Sequence, residues 1–254
     1  MKKITAIINQ KGGVGKTTTA INLSCGLALK NQKVLLIDLD PQAHSSIGLG
    51  FEPDKYEHAI DEVLTKKNNI ENVIKKTEIE NLHLAPSHIR LDKTETSLIS
   101  AINRERILKK AIKNLTYDYI IIDCRPTLNT LTLNALDACQ LILVPCDMSR
   151  YALDGFADLL DTVEDVKNDG FDIKKNLRIL LTRFDGRKEI AEWLLNELEP
   201  HKHRLLKTRI RQNEDLNKAH VHQQPIFLFN KNCNGTIDYK LLTSEFLELW
   251  QQKN

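Results

Sequence analysis

No apolar run in these 254 residues approaches the length of a membrane span. The chain also lacks a Cys-x-x-Cys pair, and its five cysteines (25, 124, 139, 146 and 233) are odd in number and scattered. Those spacings lend no support to a bridging iron–sulfur cluster. They read as buried or free thiols in a reducing cytosol. Linkers, internal repeats and low-complexity segments are absent too, which predicts a single domain over residues 1–254 with a substantial core. A formal net charge of +2 neither demands nor excludes a nucleic-acid partner. Met1-Lys2-Lys3-Ile4 enters an apolar run directly, without the h-region of a signal peptide, so a cytoplasmic location is expected.

What is present centres on Asn9-Gln10-Lys11-Gly12-Gly13-Val14-Gly15-Lys16-Thr17-Thr18-Thr19. The apolar run Ile4 to Ile8 before it reads as a buried strand, and Ala20 to Leu29 after it as an amphipathic helix. A glycine-rich turn between the two aims backbone N–H groups at a concavity on the helix N-terminus, a geometry that binds phosphate. Gly12, Gly13 and Gly15 allow the unusual backbone angles and the close approach. Lys16 supplies a cation for β- and γ-phosphates, and Thr17 a hydroxyl for Mg²⁺. The usual P-loop has a glycine where Gln10 stands, and this chain adds a second lysine, Lys11.

Further apolar runs read as strands at Lys33 to Gln42, ending in two carboxylates, and at Asn81 to Pro86, Tyr117 to Asp123, Leu141 to Pro145 and Leu177 to Thr182, with a marginal one at His203 to Lys207. Short helices are expected between Tyr56 and Lys76. Longer ones are expected at Ser100–Leu115, Leu131–Ala138, Ala152–Lys167, Glu189–Leu198 and Ile237–Trp250. Strands and helices in alternation predict an α/β fold, a mainly parallel twisted sheet with helices on both faces. Ligands of such sheets sit beyond the carboxyl ends of the strands. Asp38, Asp40 and Asp123 fall at that edge. Asp123 suits a Mg²⁺ water shell, Asp40 the attacking water, and Asp38 support of the metal or of Thr17.

These residues resemble the deviant Walker A ATPases of the ParA/MinD family, in particular the short Soj-like partition proteins, over essentially the whole chain. Lys-Gly-Gly-Val-Gly-Lys-Thr-Thr-Thr at 11–19 and Leu-Leu-Ile-Asp-Leu-Asp-Pro-Gln-Ala at 35–43 carry the likeness. So do Leu-Thr-Leu-Asn-Ala-Leu at 131–136, Tyr-Ala-Leu-Asp-Gly at 151–155 and Asn-Gly-Thr-Ile-Asp-Tyr at 234–239. The resemblance implies a P-loop NTPase with ATP and Mg²⁺ held by residues 11–18, including Val14 and Thr18, together with Asp38 and Asp123. It implies a homodimer around two ATP molecules, with Lys11 reaching the partner's phosphates. It also implies non-specific DNA binding on the nucleoid and slow hydrolysis stimulated by a ParB-like protein. By position, Asp40 matches the water-activating aspartate, and Arg183 and Asn213 are candidates near the adenine.

Two places depart from the pattern. The third motif, usually Asp-x-Pro-Pro-Ser-Leu-Gly, is Asp123-Cys124-Arg125-Pro126-Thr127-Leu128-Asn129 here. Arg125 reads as a surface arginine whose stem alone packs, the alternative being an altered response to nucleotide or partner. One DNA-binding arginine of the family matches Arg187, but the second falls on Asp215. Arg209 and Arg211 lie just upstream, and residues 174–211 carry eleven Lys/Arg against five Asp/Glu, the footprint of a phosphate-backbone surface. Competing functions are a positioning ATPase with a protein cargo and a MinD-like membrane ATPase. The second is disfavoured because Glu245 to Asn254 is acidic within its helix and short of basic residues. With the loop as assigned, Lys16→Ala removes the main phosphate cation, and ATP affinity measured by equilibrium titration is expected to fall at least tenfold. Unchanged affinity rejects the P-loop reading.

Overall fold

Both faces of a parallel sheet are covered by helices, so its strands are apolar along their whole length rather than at every second residue. The strands are β1 (Lys3–Ile7), β2 (Val34–Leu39), β3 (Lys75–Lys76), β4 (Leu82–Ala85), β5 (Tyr119–Cys124), β6 (Leu141–Asp147), β7 (Leu177–Phe184) and β8 (Leu205–Arg211). This computed structural model describes residues 2–149, 156–167, 171–187 and 189–252. The strands form one sheet in the order β3-β4-β2-β5-β1-β6-β7-β8. Every pairing is parallel except the short antiparallel edge between β3 and β4.

The helices before β5 are α1 (Lys16–Ala28), α2 (His44–Ile47), α3 (Ile60–Leu64), α4 (Ile70–Val73), α5 (Arg90–Leu98) and α6 (Ile107–Ala111). After it come α7 (Thr130–Ala138), α8 (Phe156–Val166), α9 (Ile173–Asn176) and α10 (Glu189–Glu197). The last three are α11 (Glu214–Val221), α12 (Ile226–Phe229) and α13 (Asn234–Gln251). Two cores result. Ile120 and Ile122 of β5 face the layer that holds α3, α5, α7 and α8, while Tyr119 and Ile121 face α1, α12 and α13. Phe246 and Trp250 of α13 are buried in that second core.

The elements depart from expectation where tertiary contacts override local pattern. Helix α1 begins at Lys16, four residues earlier than its apolar periodicity suggested, because Gly15 adopts φ 88° and caps it. It is not amphipathic in place, since the sheet covers one side and α13 the other. Its polar residues bond inward: Thr19 Oγ1 lies 3.2 Å from the Tyr239 hydroxyl, and Asn22 Oδ1 accepts from Ile226 N at 2.8 Å.

The helix expected over Ser100–Leu115 is broken instead. Asn103 takes φ 54°, α5 lies upstream of it, and α6 is a short piece whose Leu108 N donates to Asn134 Oδ1 at 3.0 Å. The marginal strand at His203–Lys207 becomes the longer β8, whose outward Lys207, Arg209 and Arg211 disguised an edge strand as a polar loop. Helix α11 had no counterpart in the expectation. The Tyr-Ala-Leu-Asp-Gly motif at 151–155 and the start of the helix expected from Ala152 lie outside the described residues.

Gly26 sits where α1 crosses α13. A Cβ there would come 2.2 Å from Thr243 Oγ1, which is itself fixed by a hydrogen bond to Tyr239 O at 2.7 Å. Gly26→Ala is therefore expected to lower stability by about 1–3 kcal/mol in urea denaturation. An unchanged midpoint would show that the two helices can separate freely.

Candidate functional site

The β1–α1 turn is held from behind. Asn9 Nδ2 donates to Pro145 O at 2.7 Å, Asn9 Oδ1 accepts from Lys11 N at 2.9 Å, and Thr182 Oγ1 donates to Val14 O at 2.8 Å. β6 and β7 thus grip the loop from the sheet side. On its other side it is open. Gly13 has φ 75°, and a Cβ at Gly12 or Gly13 would meet no atom within 4 Å. The result is a cradle of backbone at the N-terminus of α1, floored by the buried Val14 and rimmed by Thr17 and Thr18. Lys16 is 7% exposed and its Nζ donates to Lys11 O at 2.9 Å, so the cation stands inside the loop. Burial lowers its pKa, opposed by Asp123, Cys124 and Asp40.

Asp38 and Asp123 are register neighbours on β2 and β5, both fully buried. Asp38 Oδ2 accepts from Ser46 N at 2.8 Å and Ser46 Oγ at 2.7 Å, and its Oδ1 from Asp40 N at 3.1 Å. Asp123 Oδ2 accepts from Ser45 Oγ at 2.7 Å. Burial, then the neighbouring Asp123, pushes Asp38 up to about 8, against the Ser46 and Asp40 hydrogen bonds. Burial also raises Asp123 to about 6; the hydroxyls of Ser45 and Thr17 oppose this, Asp40 adds to it, and Lys16 opposes it. Asp40 lies at the same edge, half-buried, its Oδ1 accepting from Gln42 N at 3.0 Å.

These residues fit a hard divalent cation. Asp123 Oδ1 is a buried oxygen without a hydrogen-bond partner among the described residues, next to the Thr17 hydroxyl. No cluster of three or more Asp, Glu, His or Cys capable of holding a metal occurs among the described residues. A cation here would therefore take one carboxylate and a hydroxyl, leaving its other positions to water and anionic oxygens, which is the coordination Mg²⁺ favours.

Lys11 does not point into the loop. Its Nζ makes an ion pair with Asp147 Oδ1 at 2.9 Å and also bonds the Ser149 hydroxyl, at the carboxyl end of β6. Arg183 is exposed at the end of β7 with φ 50°, and Asn213 caps α11, its Oδ1 accepting from Asp215 N at 2.7 Å. Arg183 therefore stands one residue beyond Thr182, which ties down the loop.

Arg187, Arg209 and Arg211 are brought toward one corner, at the carboxyl-end halves of β7 and β8, but in different conditions. The Arg187 side chain is 91% exposed and, among the described residues, pairs only with Asp185, at 2.9 Å. The Arg209 guanidinium stacks over Phe184, 4.4 Å from the ring centroid. Arg211 is bound to the buried Asp238 of α13, with Nη2 to Oδ1 at 2.6 Å. Asp215 accepts from Asn230 Nδ2 at 2.9 Å.

The eleven-cation segment is consequently two patches. Lys174, Arg178, Lys202 and Arg204 lie at the amino ends of β7 and β8, whereas Arg183, Arg187, Arg209 and Arg211 lie at the carboxyl ends. The eight residues of β7 separate them by roughly 25 Å. Arg125 is more than a loop arginine: its Nη1 contacts Asp92 at 2.9 Å and Glu95 at 2.8 Å on α5. Glu95 also accepts from Asn129 Nδ2 and Leu131 N, so α5 fixes the whole segment between β5 and α7.

Ser45, Ser46, Asp147 and Thr182 escaped the sequence reading. The serines follow the Asp-Pro-Gln segment closely enough to have been suspected as donors to it. Asp147 and Thr182 had no local signal, because they act on a loop more than 130 residues away.

Residues 2–220 match the AAA domain family. The chain is 39% identical over 251 residues to the sporulation initiation inhibitor protein Soj of Bacillus subtilis, covering 96% of this chain and 98% of that protein. It is 38% identical over 249 residues to the chromosome partitioning protein ParA of Myxococcus xanthus, covering 97% and 88%. Among solved structures, cobyrinic acid a,c-diamide synthase from Mycobacterium smegmatis with bound ADP and magnesium superposes with a TM-score of 0.86 at 29% identity, over 100% of this chain and 97% of that one.

The raised carboxyl of Asp38 has a consequence for stability. Between pH 4 and 8 the folded chain binds a proton at Asp38 that the unfolded chain, with its ordinary carboxylate, has released. Without nucleotide or divalent cation, stability is therefore expected to fall as pH rises through that window. Asp38→Asn removes the Asp38 share of the slope, so it should be more stable than wild type at pH 8, with the gap narrowing toward pH 5 in urea denaturation. A gap that widens toward acid would mean Asp38 is charged in the native state.

Proposed function

The chain belongs to the ParA/MinD family as a Soj-like partition ATPase, and from that premise we propose that it is an ATP-driven DNA partition switch acting as one unit over residues 1–254. The observation that carries this reading is the open backbone cradle at Gly12 and Gly13 beside a buried Asp123 oxygen that lacks a hydrogen-bond partner.

Residues 11–18 hold the phosphates of ATP, with Lys16 as the principal cation and the α1 N-terminus as its complement. Thr17 and Asp123 hold Mg²⁺, and Asp38, steadied by Ser46, keeps Asp123 in place. The nucleotide supplies the phosphoryl group whose transfer to water is the reaction. Asp40 orients that water. Its half-buried position at the strand edge supports this role, because a base must reach both the site and solvent.

Lys11 acts in trans. Its pairing with Asp147 supports a cycle in which dimerisation exchanges a carboxylate of its own chain for the phosphates bound by the partner. Hydrolysis then requires the dimer. A ParB-like protein accelerates it, and Arg183 and Asn213 approach the adenine.

The ATP dimer binds DNA without sequence preference on the nucleoid. Arg187 is the most available contact, Arg209 the next, and Arg211 contributes least because Asp238 already occupies its guanidinium. That thin surface favours one alternative, a positioning ATPase for a protein cargo that uses the same cycle. No helix among the described residues is long and apolar enough to cross a membrane. The buried Phe246 and Trp250 are also unavailable as a surface anchor.

The deciding measurement uses Asp40→Ala, which is expected to bind ATP and persist as a dimer by sizing. Its binding to random-sequence duplex DNA is followed with ATP, ADP or no nucleotide, with anionic liposomes in parallel. ATP-dependent DNA binding that weakens steeply with salt is expected, and Arg187→Glu should reduce it at least tenfold without changing ATP affinity. A dimer with no affinity for DNA would shift the reading to the protein-cargo alternative, and liposome binding would shift it to a membrane ATPase.

A further inference from the structure

The amino-end half of the basic segment is unused by the nucleotide cycle, and it holds the strangest charge in the molecule. Arg204 closes the 3-10 turn Glu199–Arg204 just before β8. Its residue is 6% exposed, and its Nε and Nη1 are buried with no hydrogen-bond partner among the described residues. An arginine cannot shed its charge, and a buried guanidinium without a partner is costly. Arg204 borders a cavity of about 430 Å³ at the foot of β7 and β8, walled by α8, α9 and the turn. This is the sheet edge opposite the Gly-rich loop.

The other charged groups of that cavity are mostly committed. Asp172 caps α9, its Oδ1 accepting from Lys174 N at 3.0 Å and Lys175 N at 3.2 Å. Lys167 Nζ donates to Cys139 O at 2.6 Å and lies over the Phe171 ring. Arg178, which adds to the positive field at Arg204, donates to Lys174 O and Leu177 O. Glu164 is the acidic group that favours the Arg204 charge, yet it forms no ion pair with it within 4.0 Å. Lys174 has no ion pair among the described residues. The uncommitted balance is two cations against one carboxylate. Val163, Phe171 and Ile173 supply an apolar wall.

We propose that this cavity is a binding site for a small phosphate-bearing ligand, separate from the nucleotide loop, with Arg204 and Lys174 as its cations. A planar guanidinium at the base and an exposed ammonium at the rim suit a tetrahedral oxyanion. The volume exceeds that of a bare phosphate, and the apolar wall accommodates an organic substituent.

The test uses the full chain with saturating ADP and Mg²⁺, so that the Gly-rich loop is filled, and titrates inorganic phosphate against potassium chloride at matched ionic strength. Calorimetric titration and thermal melting are read together. One phosphate site and a rise in Tm absent with chloride are expected. Arg204→Met should weaken phosphate at least tenfold, Lys174→Glu several-fold, and Lys16→Ala not at all. Arg204→Met replaces a buried charge by an apolar side chain of similar length, and Lys174→Glu carries the test if that variant does not fold. Phenyl phosphate distinguishes the sources: tighter binding than inorganic phosphate assigns a phosphate monoester, and equal binding assigns phosphate itself. The proposal is overturned if wild type shows no phosphate effect, or if the effect survives both Arg204→Met and Lys174→Glu. It also falls if the effect vanishes in Lys16→Ala, or if duplex DNA stabilises the foot of the sheet and free phosphate does not.

Discussion

Two carboxylates buried side by side set the terms for the rest of the molecule. Parallel pairing of β2 with β5 places Asp38 against Asp123 in register, with no solvent at either side chain. Two negative charges at that spacing in a protein interior repel strongly, and burial penalises each separately. The serines of α2 relieve part of this by donating to both. Lys16 relieves less at Asp123 than the serine does, and it is itself buried and resists its own charge. The site is therefore short of positive charge while its loop is rich in N–H donors, which describes an environment completed by a cation together with an anion. A phosphate chain with its metal satisfies both at once.

The same economy explains why the β1–α1 turn is so heavily tied from behind. A loop with glycine at 12, 13 and 15 has little conformational preference of its own, and its order comes from Asn9, Pro145 and Thr182. Those contacts bring β6 and β7 into the site through Pro145 and Thr182, neither of which carries a charge. Lys11, released from the turn, is steadied by Asp147 instead. A lysine held by a carboxylate at a partly exposed position is weakly held. That suits a group which must change partners during a cycle.

Much of this was legible in the residue order, for a physical reason. Strand, glycine turn and Lys-Thr are contiguous, and apolar runs closed by aspartate mark the carboxyl ends of strands wherever those strands lie. The resemblance to the ParA/MinD family added identity but did not supply the geometry. Misreadings fell where polarity was mistaken for exposure. Thr19, Asn22 and Ser24 are polar yet buried between the sheet and α13, and β8 is a strand whose charged residues disguised it. The break at Asn103 depends on a hydrogen-bond partner 26 residues beyond Leu108, which no local periodicity encodes.

The sequence by itself determined the chemistry: a phosphate loop, a lysine pair and three carboxylates at one sheet edge, because each depends on neighbours a few residues away. Tertiary structure alone decided how the charges are distributed. Arginines and lysines that looked like one patch fall at opposite ends of β7, Arg211 is absorbed by Asp238, and Arg125 is clamped by Asp92 and Glu95. Arg204 is buried for the same reason. A charge acquires its role from what the folded chain places beside it, and those neighbours come from distant parts of the sequence.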